Sequence, residues 1–180
     1  MAHSSLARVE KKARRERRKL VFIDESGFYL LPAVVKTYAP GGETPILQVY
    51  QTRDHLSVMS GITPAGQLYP LVRQAAMTGY ESVIFLKHLQ HRLSEQLLVL
   101  WDGSPIHRGE AIKTFLVDGG AQHIHLEPWP AYAPDLNPTE GIWDLLKYVE
   151  MRNLCCFDLE HLHCELNLAI RRLRTQSCPI

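Results

Sequence analysis

An α/β domain, built as a mixed sheet with helices on its faces, is the fold class this sequence predicts. Two short apolar runs, Leu20–Ile23 and Leu97–Trp101, have the length and composition of buried strands, and each is followed by an aspartate. Between them lie a hairpin pattern and a helical pattern. After them come helix, strand, helix and helix. At 180 residues, with 46% apolar and 22% charged residues, the chain has room for one ordinary domain with a real core.

The elements follow in order. Residues 1–19 carry helix-forming residues but almost no apolar face, so they are expected to form a basic arm or linker with a boundary near Lys19. LVFIDESGF reads as a buried strand that turns at Ser-Gly. Residues 33–50 mix β-prone pieces with the turn signal Ala-Pro-Gly-Gly. Leu56–Ile62 and Gln67–Val72 form a hairpin about Thr-Pro-Ala-Gly. Apolar residues at Val83, Ile84, Leu86, Leu89, Leu93 and Leu97 give helical spacing over 80–97. A helix is expected over about 107–118, ended by Gly119-Gly120, then a strand over 123–129. A proline-rich loop leads to helices over about 138–151 and 158–174; residues 20–180 thus make the folded domain.

Charge is unevenly spread. Between Ala7 and Lys19 stand Arg8, Lys11, Lys12, Arg14, Arg15, Arg17, Arg18 and Lys19 against Glu10 and Glu16, a net of +6. The remainder is net −5. A basic arm on an acidic body is a cue for nucleic acid; a solvated helical linker is the alternative. The start has no apolar run behind its charges and does not read as a secretory signal. No stretch is long and apolar enough to read as a membrane helix. Four cysteines crowd one end, which argues against a disulfide scaffold and for a reducing compartment.

Asp24 and Asp102 each end an apolar strand pattern. Ionised carboxylates in such places need a partner or a metal, and oxygen-rich sites suit Mg²⁺ or Mn²⁺. Each is also a good turn residue. In YAPDLNPTEGIW (132–143), Asn137 is placed to cap a helix, with Pro138 at its first position and Glu140 at its third, where a capping-box carboxylate sits. Glu25 points to the face opposite Asp24 and is left out. Asp118 reads as a helix end and Asp135 as a loop residue. His107 reads as a partner behind the site or a DNA contact at its edge. Cys155, Cys156, His161, His163 and Cys164 match no common zinc spacing, and Trp129 and Trp143 read as core.

Together, Asp24 in FIDESGF, Asp102 and His107 in WDGSPIH, and YAPDLNPTEGIWDLLK resemble the catalytic domain of DDE transposases, in particular the mariner superfamily and related bacterial insertion-sequence enzymes. Thirty-seven residues separate Asp102 from Glu140, close to the family spacing. The resemblance implies a ribonuclease H-like fold. It also implies two Mg²⁺ or Mn²⁺ ions held by Asp24, Asp102 and Glu140, which would cut DNA strands at element ends and join them to a target. It implies double-stranded DNA as partner, a homodimer on that DNA, and a cytoplasmic, nucleoid-associated bacterial setting. A structure-specific nuclease on the same fold and an inactive DNA-binding derivative are the alternatives. Gly103 stands where relatives often carry Asn. Family members carry a helix-turn-helix region on the N-terminal side; about 19 residues precede the first strand here, as expected of one of two overlapping frames, a processed piece or a decayed copy.

Overall fold

Alternation along the first strand sets the layers. Leu20 and Phe22 enter one apolar cluster, and Val21 and Ile23 enter another on the opposite face. The computed structural model describes residues 2–49, 52–129 and 137–175, with side chains from residue 6 onward. Five strands are present: β1 (Lys19–Tyr29), β2 (His55–Ile62), β3 (Leu68–Arg73), β4 (Leu97–Trp101) and β5 (Ile124–Pro128). They lie in the order β3-β2-β1-β4-β5. The β1–β2 and β2–β3 pairs are antiparallel, while β4 runs parallel to both β1 and β5. All five residues of β4 are buried, as a parallel strand covered on both faces requires.

Helix α1 (Ala2–Arg15), α5 (Pro138–Asp144) and α6 (Leu159–Thr175) cover one face, through Val9, Ala13, Trp143, Leu162, Leu166 and Ile170. Helix α2 (Gly79–Leu93) and α3 (Glu110–Phe115) cover the other, through Phe85, Leu86, Leu89, Ile112 and Phe115. A short α4 (Ala121–His123) leads into β5. Among the described residues, no helix is long and apolar enough to cross a membrane.

Five expectations need correction. First, β1 does not turn at Ser26-Gly27; it runs on to Tyr29, because β2 pairs with it as far as Tyr29↔His55. Asp24 is therefore mid-strand, opposite Ser60. Second, residues 33–49 form no strand and run largely exposed, held at Ala33 and Val35 by Asn153. Third, α2 stops at Leu93, where Ser94 takes a left-handed φ of 49°, so Leu97 belongs to β4. Fourth, the helix expected over 107–118 is divided. A tight turn at Pro105–Arg108 precedes α3, and Gly119 (φ 105°) breaks the helical path.

The fifth correction concerns the basic arm. Leu6, Val9 and Ala13, spaced i, i+3 and i+7, give α1 a narrow apolar stripe that packs on the sheet. Lys12 Nζ reaches Glu127 Oε2 at 2.5 Å and His125 Nε2 at 2.8 Å. Arg18 Nη1 donates to the carbonyls of Leu97 and His123 at 3.2 and 3.3 Å, and Lys19 Nζ pairs with Glu95 at 3.0 Å. Three of the eight basic side chains are thus engaged by the body. Arg8, Lys11, Arg14, Arg15 and Arg17 remain exposed.

Candidate active site

The parallel pairing of β1 with β4 ends at Phe22↔Leu100, and two residues further along each chain stand Asp24 and Asp102. Both carboxylates therefore lie just past the end of this pairing, Asp24 within the longer β1 and Asp102 directly after β4. Asp24 faces α5. Its Oδ2 accepts from Asn137 Nδ2 at 3.0 Å and Trp143 Nε1 at 3.0 Å, and the Thr139 hydroxyl lies 3.2 Å away. Asn137 also caps α5, its Oδ1 accepting from the Thr139 amide at 3.2 Å. One side chain therefore starts the helix and grips the strand carboxylate. Among the described residues, Asp24 Oδ1 has no hydrogen-bond partner.

Asp102 is likewise held through one oxygen. Its Oδ1 accepts from the Ser104 amide at 3.0 Å and lies 2.7 Å from His107 Nδ1. The other ring nitrogen, Nε2, lies 2.9 Å from Glu25 Oε1, and the imidazole stacks on Trp101 at 4.1 Å and 6°. Burial alone would lower the His107 pKa; Glu25 and Asp102 outweigh it and hold the ring above its ordinary value.

Glu140 projects from the first turn of α5 with an exposed side chain. Partial burial and the negative charges of Asp24 and Asp144 push its pKa up, against the pull of Lys147. Carboxylates that repel one another in this way favour a cation between them. Lys147 Nζ donates to Ser26 Oγ at 2.6 Å and sits 5.4 Å from the centre of the Phe28 ring.

Among the described residues, no three His, Cys, Asp or Glu side chains are gathered at metal-ligand spacing. Asp135 lies outside the described residues. Of the cysteine and histidine group, Cys156 is buried in the core, which pushes its thiol up to about 11, while Cys164 is exposed. Sequence reasoning missed Glu25, Asn137 and Trp143 as working parts of the site. Strand alternation does put Glu25 opposite Asp24, but His107 is on that second face. Trp143 is core, as expected, and its indole N–H is also a donor to Asp24.

A five-stranded mixed sheet covered by helices, with acidic residues at the end of the β1–β4 pairing, defines a ribonuclease H-like domain. The chain belongs to the DDE superfamily endonuclease family, whose model matches residues 19–158. The Tc3 transposase of Caenorhabditis elegans is 32% identical over 72 residues, covering 38% of this chain and 21% of the relative. The structure of a Mos1 transposase paired-end complex with left transposon end superposes with a TM-score of 0.64 at 15% identity, over 98% of this chain and 58% of that one. The HTLV-2 integrase catalytic core domain in complex with magnesium gives a TM-score of 0.51 at 14% identity, over 87% of this chain and 83% of that one. These findings agree with the motif resemblance to a DDE transposase catalytic domain of mariner type. The chain spans 21% of the curated relative's length and 58% of the Mos1 chain.

Proposed function

We propose that this domain cuts DNA strands at the ends of a mobile element and joins them to target DNA, with Asp24, Asp102 and Glu140 holding two Mg²⁺ or Mn²⁺ ions. The observation that carries the reading is the pair Asp24 and Asp102. They stand side by side just past the end of the β1–β4 pairing, each gripped through one oxygen and leaving the other for a cation. The donor set is all oxygen, which suits hard divalent ions. Similar structures support this choice, since Mos1 paired-end complexes are known with Mn and with Mg. When bound, such ions activate an attacking oxygen and stabilise a leaving one.

The residues of this chain supply position and charge. Asn137, Thr139 and Trp143 keep Asp24 oriented toward the site by holding Oδ2. Placing Glu140 on the helix that Asn137 starts ties the third carboxylate to the same hinge of contacts. Lys147 lies on the continuation of that helix and offers a cation to an approaching phosphate. The exposed basic side chains of α1, together with Arg17, offer a phosphate-binding surface independent of base sequence. Double-stranded DNA is the proposed partner, engaged by two copies of the chain.

Incubation of the chain with plasmid and element-end duplexes in Mg²⁺ or Mn²⁺ tests the reading. Nicking with strand joining is the expected result. Nicking without joining would make it a nuclease, and binding without either would make it an inactive derivative.

A further inference from the structure

Asp102 presents a structural problem. It sits just beyond the end of β4 with 59% of its side chain exposed, where a carboxylate ordinarily samples several rotamers. The group against it is the reverse. His107 has a side chain only 3% exposed, packed flat on Trp101, the last residue of β4. Its Nδ1 lies 2.7 Å from Asp102 Oδ1 and 3.3 Å from the Asp102 main-chain oxygen. Its Nε2 lies 2.9 Å from Glu25 Oε1. Glu25 belongs to β1, next to Asp24 but on the opposite face of the sheet, so it cannot itself join Asp24 at an ion.

We infer that Glu25 is a positioning residue that acts through the His107 ring to hold the Asp102 carboxylate. The role rests on the reading of Asp102 as an ion ligand. The ring is fixed at both nitrogens and on one face, so it has no rotational freedom to lose when Asp102 is loaded. With His107 and the Ser104 amide both on Oδ1, the second oxygen of Asp102 has no hydrogen-bond partner among the described residues. Because Glu25 follows Asp24 directly, the relay also ties the β1 carboxylate to the β4 carboxylate through rigid groups. Outer partners of this kind orient metal ligands, and their loss costs about ten- to a hundredfold in metal affinity.

The test measures Mn²⁺ affinity by paramagnetic resonance on the full chain, with metal-free thermal melts of the same samples. In His107→Asn the amide nitrogen replaces Nδ1 and keeps the Asp102 contact. In His107→Gln it replaces Nε2 and keeps only the Glu25 contact. His107→Gln is expected to weaken Mn²⁺ binding about tenfold or more, and His107→Asn distinctly less. Glu25→Ala should weaken it and Glu25→Gln should restore part of the loss, in an order that the metal-free melts do not follow. Equal losses in His107→Asn and His107→Gln would reduce His107 to packing and overturn the role. So would unchanged affinity in Glu25→Ala, compared at matched folded fractions because Glu25 is only 27% exposed and pairs with the buried His107. Absence of Mn²⁺ binding by the unsubstituted chain, or unchanged binding by Asp102→Asn, would overturn the metal-site reading itself, and the role with it.

Discussion

The indole Nε1 of Trp143 donates to Asp24 Oδ2 across 3.0 Å, joining a core residue of α5 to the carboxylate in the middle of β1. The same ring meets Phe28 edge-on at 6.1 Å, so the donor is locked by packing. Trp143→Phe keeps most of the packing and removes the donor. It should destabilise the fold by about 1–2 kcal/mol and lower strand cleavage, because Asp24 then rests on Asn137 and Thr139 alone. Chemical denaturation and a nicking assay on one preparation check both parts.

Lys12 and Glu127 supply a pH dependence. Burial raises the Glu127 pKa, but hydrogen bonds from Lys12 and His125 outweigh it, and the net shift is downward. A carboxylate lowered in the folded state adds stability that is fully present above its unfolded value, about 4.3. That stability is lost as pH falls through the lower folded value. Both side chains are roughly a quarter to a third exposed, so the contribution is expected to be small, about 1 kcal/mol or less after solvent screening. Acid titration of the wild type and Lys12→Met should show the difference closing below about pH 4. A difference that is constant down to pH 2 would contradict the pairing.

The two sides of the basic segment should behave differently on DNA. If three to five of Arg8, Lys11, Arg14, Arg15 and Arg17 meet phosphates, log affinity against log salt should slope at about −3 to −4.5. Replacing these five with Gln should flatten the slope and weaken binding alike for any sequence. Replacing Lys12 should instead loosen α1, seen as faster amide exchange at Val9 and Ala13.

Gly120 is a stability test away from the site. A Cβ there would stand 2.6 Å from the Phe115 carbonyl oxygen and 2.7 Å from its ring. Gly120→Ala should cost about 1–3 kcal/mol, read by thermal melting, with DNA affinity unchanged in the folded fraction.

How much of this was legible depended on whether a signal was local. The apolar runs of β1 and β4 and the Asn-Pro-Thr-Glu helix start could be read directly, because burial on both faces and helix capping leave marks in consecutive residues. The extension of β1 past Gly27 could not, since only pairing with β2 keeps Ser-Gly extended. The docking of α1 rests on Leu6, Val9 and Ala13, a stripe so thin that the surrounding charges hide it. Glu25 was set aside on correct strand alternation, and nothing local to β1 announces that a histidine 82 residues on would meet it on the second face.

Asp24, Asp102 and Glu140 are together proposed to make this chain a divalent-ion-dependent DNA-cutting domain. Conversion of supercoiled plasmid to nicked circles, measured in Mg²⁺ and Mn²⁺, tests it most directly. The wild type and the triple variant Asp24→Asn, Asp102→Asn, Glu140→Gln should be compared at matched folded fractions. Ion-dependent nicking by the wild type and none by the triple variant is the expected result. Nicking by the triple variant at the wild-type rate would contradict it.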